Sequence, residues 1–77
     1  MSTVSPLTRA GAIQWARQSI DRLDARLLLM FVSDCTPTAL IADPDVLLED
    51  AQWLRYQSLV CRRATGEPLA YLVGRAG

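Results

Sequence analysis

Signals that stop a helix and signals that start one meet in a single short string near the end of this chain, Arg62-Arg63-Ala64-Thr65-Gly66-Glu67-Pro68. Arg62 and Arg63 fall where the last turn of a helix exposes partially negative carbonyls, and Gly66 can take the left-handed conformation that closes a helix. Pro68 blocks continuation and pushes Glu67 out of the α region, yet it is tolerated in the first turn of a new helix. The string therefore predicts a hinge between a long helix before it and a short apolar helix or turn, Pro68 to Val73, after it.

The long helix is expected from about Val46 to Thr65. Trp53, Tyr56, Val60 and Ala64 fall at i, i+3, i+7 and i+11 on one side, while Ala51, Arg55, Ser58 and Arg62 line the other. Glu49 and Asp50 near its start and Arg62 and Arg63 near its end all oppose the helix dipole in the stabilising sense. Trp53, Tyr56 and Val60 read as core, and the Ala51 to Arg62 edge as solvated.

Upstream, Leu27-Leu28-Leu29-Met30-Phe31-Val32 invites a strand. Leu, Met and Ala outnumber β-branched residues, however, and the segment from Leu23 onward is too long for a typical buried strand, so it reads as a helix. Arg22, Arg26 and Ser33 would share its narrow polar edge, with Asp21 as its cap, and such a helix belongs at the centre of a bundle. Thr36-Pro37 marks another helix entry, followed by Ala39-Leu40-Ile41-Ala42 and ended by Asp43-Pro44-Asp45. Ser5-Pro6 marks the first entry, with Ala12, Ile13, Ala16 and Ile20 at helical spacing behind it. Trp15 points away from that stripe, towards either the core or a neighbouring element. With no strand alternation and no internal repeat, the expected fold class is all-α, a small bundle of about five helices.

At 77 residues the chain is one domain at most. A domain of that size has a stability of about 4 to 12 kcal/mol. Apolar residues make up 51% and charged residues 21%, which places it among globular chains. The eight basic residues are all Arg and equal the eight acidic ones, so no basic excess exists to neutralise a run of phosphates, and direct nucleic acid binding is not expected. The start carries no basic stretch followed by an apolar run, and no apolar run is long enough to span a bilayer, so the expectation is a cytoplasmic protein without a membrane partner.

Enzymatic chemistry is hard to place in these residues. His is absent, so the commonest general base is missing and no triad can be written. Asp43 with Asp45, and Glu49 with Asp50, lie around helix starts and read as caps and dipole partners. Cys35 and Cys61 match no zinc or redox spacing and are expected as free thiols. The four glycines are scattered and form no phosphate-cradling loop. No catalytic, cofactor-binding or metal-binding residue is expected in this chain.

The string Arg62-Arg63-x-x-Gly66-Glu67-Pro68-x-Ala70-Tyr71-Leu72-x-Gly74 resembles the segment ending the N-terminal helical domain of HemK/PrmC-type methyltransferases, the release factor glutamine methyltransferases. Asp24-Ala25-Arg26-Leu27-Leu28-Leu29 is similar to a second signature of the same domain, and the separation of the two strings fits. The resemblance implies an N-terminal substrate-recognition domain of a larger enzyme. Its downstream Rossmann-like domain would bind S-adenosylmethionine, and an Asn-Pro-Pro-Tyr loop there would hold the glutamine amide of the release factor's Gly-Gly-Gln motif. Neither element lies in residues 1–77, so the fragment alone is expected to be non-catalytic, with a peptide chain release factor and its own catalytic domain in cis as partners. Where family members often open the long helix with a Ser or Thr cap, Leu48 precedes Glu49 here, which makes Asp45 the expected cap. Gly77 likewise stands where the family often continues Gly-x-x-Glu-Phe.

Four residues carry the expectation of partner binding: Arg55, Arg62, Arg63 and Glu67. Against each stands a structural reading, in which the hinge arginines satisfy helix-end carbonyls and Arg55 belongs to a solvated face. Arg26 is expected to pair with a carboxylate on another helix. The rival readings for the whole chain are a self-standing helical adaptor and, set aside on charge, a helix-turn-helix DNA reader.

Overall fold

The computed structural model describes residues 8–73. Five helices follow one another: α1 (Arg9–Ala16), α2 (Arg22–Ser33), α3 (Pro37–Ala42), α4 (Asp50–Ala64) and α5 (Leu69–Leu72). The all-α expectation holds. α2 packs on both α1 and α4 and is the central helix, as its broad apolar face requires, and α5 folds back on α4.

The core is built from α2's Ala25, Leu28, Leu29 and Val32 against Ala12 and Ala16 of α1 and Tyr56, Leu59 and Val60 of α4. Small residues on α1 allow its backbone to approach α2 closely. Leu40, Leu48 and Leu72 close the core from α3, from the segment before α4 and from α5. The buried stripe of α4 is therefore Tyr56, Leu59, Val60 and, at the next turn, half-buried Arg63, while Ala64 is exposed. Ala64 was expected on this stripe. The stripe is centred on Tyr56, Leu59 and Val60 rather than on half-buried Trp53, so Arg63, seven residues and about two turns past Tyr56, falls on it, whereas Ala64 aligns with Trp53 at its edge.

Trp15 lies edge-on to Trp53, ring centroids 5.1 Å apart at 70°, and 6.4 Å from Tyr56. Its departure from the α1 stripe thus places it against α4, where a T-shaped pair is favourable. Trp53 is half-buried rather than central.

Two helix starts differ from the expectation. Ser5-Pro6 lies outside the described residues, and α1 is capped by Thr8, whose hydroxyl accepts from the Gly11 N–H at 3.0 Å. Ile20 lies past the end of α1, packed against the core from the connection to α2. α4 begins at Asp50 with Glu49 as its cap, and Gln52 Oε1 accepts from the Glu49 N–H at 3.1 Å. Asp45 does not cap it, because its segment is committed elsewhere: the Pro44 and Val46 carbonyls accept from the Ala10 and Arg9 N–H groups, each at 3.0 Å. Those are two of the donors that a helix start leaves unpaired. Arg9 reinforces the tie by donating from Nη1 to the Ala39 and Asp43 carbonyls, both at 3.4 Å.

Other local signals hold. Thr36 caps α3 through the Ala39 N–H at 3.0 Å with Pro37 in the first turn. Asp21 is the residue before α2, although its side chain makes no capping bond. Asp34 closes α2 at φ 55°, a left-handed position that Asp tolerates better than most residues. Cys35 and Cys61 are free thiols, half-buried and exposed respectively.

Candidate functional site

The hinge is organised by two backbone bonds. The Gly66 N–H donates to the Arg63 carbonyl at 3.0 Å and the Glu67 N–H to the Arg62 carbonyl at 3.2 Å, with Gly66 at φ 105°. This is a Schellman closure. Such closures commonly bring an apolar contact between the residues at the Glu67 and Arg62 positions, and here an ion pair occupies that place. Arg62 Nη2 lies 2.9 Å from Glu67 Oε1, and Arg62 Nε donates to the same oxygen at 3.0 Å. The hydrogen bond and the charge of Glu67 push the already high Arg62 pKa further up. Both side chains are substantially exposed, so water and salt screen the pair and its contribution to stability is small.

Arg63 reaches inward. Its Nε donates to Asp24 Oδ2 at 3.0 Å and its Nη1 to the Glu67 carbonyl at 3.1 Å, so one guanidinium joins α2, α4 and the hinge. Its side chain and that of Asp24 are 30% and 19% exposed, which makes this the better shielded of the two ion pairs. The Tyr56 hydroxyl, fully buried, donates to the Ala25 carbonyl at 3.0 Å and adds a second tie between α4 and α2. Burial pushes the Tyr56 phenol well above its ordinary pKa.

Three of the four candidate residues, Arg62, Arg63 and Glu67, thus converge at the hinge. Arg55 stands apart, two turns earlier on α4, with its guanidinium carbon 5.1 Å from the centroid of the Phe31 ring of α2. Arg26 makes no ion pair among the described residues, contrary to expectation. The carboxylate of its own motif, Asp24, is the group that pairs across helices, and sequence reading passed it over. The signal was available: Asp24 precedes the buried Ala25 and Arg63 follows the buried Val60 by three, so each flanks the core stripe of its helix.

The arrangement presents the Arg62 and Glu67 charges and the Arg55 guanidinium to solvent and holds Arg63 inward. Among the described residues no cluster of His, Cys, Asp and Glu is placed to hold a metal ion, and no helix is long and apolar enough to cross a membrane. Asp24–Leu29 and the hinge string are joined in space by the Asp24–Arg63 pair.

A family model, that of the PrmC N-terminal domain, matches residues 8–74. The chain belongs to the PrmC N-terminal domain family. Among its relatives are proteins named release factor glutamine methyltransferase from Nitratidesulfovibrio vulgaris (35% identical, covering 95% of this chain and 27% of the relative) and Xylella fastidiosa (42%, covering 95% and 26%). One from Burkholderia pseudomallei is 39% identical over 96% of this chain and 26% of its own length. The chain thus spans about a quarter of the length of these curated relatives. No solved structure matches it. As a member of the PrmC N-terminal domain family, its match begins at Thr8, the residue that caps α1, and ends just past α5.

Proposed function

We propose that residues 1–77 are the release-factor-recognition domain of an S-adenosylmethionine-dependent protein-(glutamine) methyltransferase of the cytoplasm, which modifies the Gly-Gly-Gln glutamine of peptide chain release factors. The observation that carries this reading is the family match over nearly the whole chain, together with relatives named for that activity. The cofactor site and the groups that would hold the release factor's glutamine amide belong, in this reading, to a catalytic domain elsewhere in the parent protein.

The division of labour has a physical rationale. An amide nitrogen is a poor nucleophile, and methyl transfer to it depends on positioning and on polarisation by fixed hydrogen bonds. A separate domain that grips the body of the release factor raises the effective concentration of the glutamine at the catalytic domain without touching the reacting atoms. In this reading Arg63 and Glu67 hold the hinge rigid and set the direction in which the chain leaves α4 towards the catalytic domain in cis. Arg55 and Arg62 present exposed charge alongside.

The test uses the 77-residue chain and a purified bacterial release factor. Calorimetry is expected to show a one-to-one complex, and incubation with labelled S-adenosylmethionine is expected to transfer no methyl group. Methyl transfer by the chain alone would overturn the proposed division, and failure to bind would remove the recognition role and favour a helical adaptor for another partner.

A further inference from the structure

One face of α1 with the residue after it, the first turns of α2, and α3 with Pro44 two residues beyond its end border a groove of about 470 Å³. Its floor is apolar, from Ile13, Leu40, Ile41 and Pro44. Leu40 is buried, whereas Ile41 is 70% exposed. Its rim carries three cations, Arg17, Arg22 and Arg26, and no carboxylate is among its lining residues. The two ion pairs of the described residues are made by Arg62 with Glu67 and by Arg63 with Asp24, and none of the three rim arginines takes part in them. In a chain of zero net charge the groove lining thus carries three positive charges and no negative one, with Asp21 and Asp24 beside Arg22 along the start of α2 but outside the lining.

The arrangement also opposes helix stability. Arg22 is the first residue of α2, where the helix end is already partially positive, and Arg22 and Arg26 are four apart on one helix, where like charges repel.

We infer that this groove docks an acidic amphipathic segment of the release factor, with one large apolar side chain of that segment on the Ile13–Leu40–Ile41 floor and carboxylates on the arginine rim. The inference rests on the recognition role proposed above and assigns its surface. Guanidinium groups pair with carboxylates through two parallel hydrogen bonds, which gives both orientation and strength. The apolar floor supplies the buried anchor that such interfaces centre on. A nucleic acid fits less well, because a phosphate backbone is tracked by many cations along a polar path, and here three arginines surround an apolar floor.

The double variant Arg22→Gln, Arg26→Gln decides the matter, with Ser58→Gln on the exposed side of α4 as control. Glutamine keeps helix propensity and relieves the repulsion, so the melting temperature is expected to stay level or rise. Binding of the purified release factor by the 77-residue chain is expected to weaken at least tenfold in the double variant and to change little in the control, and the wild-type complex is expected to weaken with added salt. Wild-type binding that the double variant leaves unchanged overturns the groove assignment while the recognition role stands. Absence of wild-type binding overturns both. Binding of a duplex RNA or DNA probe that the double variant abolishes, with release factor binding intact, makes the groove a phosphate site and overturns the inference as stated.

Discussion

Tyr56 ties α4 to two other helices, since it is fully buried, meets Trp15 of α1 as well as Trp53, and donates to the Ala25 carbonyl of α2. That carbonyl also serves α2's own ladder, so Tyr56→Phe removes a bond without stranding its partner. The expected cost is about 1 kcal/mol, a drop in melting temperature of roughly 4–8 °C for a domain of this size. The pH dependence has a definite sign. A phenol whose pKa is raised in the folded state binds its proton more tightly there than in the unfolded chain, so its stabilising effect is complete below the ordinary value of 10.0 and is lost as pH rises above it. The loss is about 1.4 kcal/mol per pH unit once the unfolded phenol ionises. Wild type and Tyr56→Phe are therefore expected to exchange their order of stability above about pH 11. Urea titrations of both proteins across that range check it, and a gap that stays constant with pH would show that the phenol is not what is being protected.

Between elements, the join that matters is Asp24 to Arg63, because it fastens α2 to the end of α4 and, through the Glu67 carbonyl, to the hinge. A double-mutant cycle with Asp24→Asn and Arg63→Gln is expected to give a coupling of about 1 kcal/mol, at the upper end for a partly shielded pair. Arg62→Gln with Glu67→Gln is expected to give less, since that pair is open to solvent. Denaturant unfolding of the four variants in each cycle measures both. This level also shows what the sequence could and could not convey. Gly66, Pro68, Thr36 and Pro37 act through their own backbone or their nearest neighbours, so the hinge and the α3 entry were legible in one dimension. The start of α4 was not, because Asp45 lost its capping role to a contact with α1 more than thirty residues away, and the Pro44 and Val46 carbonyls that make it look like any others in the sequence. Arg62, Arg63 and Glu67 were legible as candidates by their motif, whereas the Arg17, Arg22 and Arg26 rim brings together two helices and depends on a packing angle that no spacing encodes.

At the scale of the whole molecule, one apolar core serves all five helices, and no part of it stands on a separate cluster among the described residues. α1 contributes Ala12 and Ala16, α5 contributes Leu72 and α3 contributes Leu40, each too little surface to hold its helix alone. Helices this short are unstable in water by themselves, so their formation depends on α2 and α4 being in place. Leu28 lies fully buried on α2 at that common core. Leu28→Ala is expected to cost about 3–5 kcal/mol through lost burial and the cavity left behind. Against a total of about 4–12 kcal/mol, that is a large share of the stability, so the variant is expected to melt at least about 12 °C lower, by roughly 4–8 °C per kcal/mol. Because the tryptophans report the α1–α4 contact and far-ultraviolet circular dichroism reports all the helices, the two probes are expected to give one coincident transition in both proteins. A variant in which tryptophan fluorescence changes first while helicity persists would show instead that α1 docks as a separate unit on a preformed α2–α4 pair, and that the core is divisible.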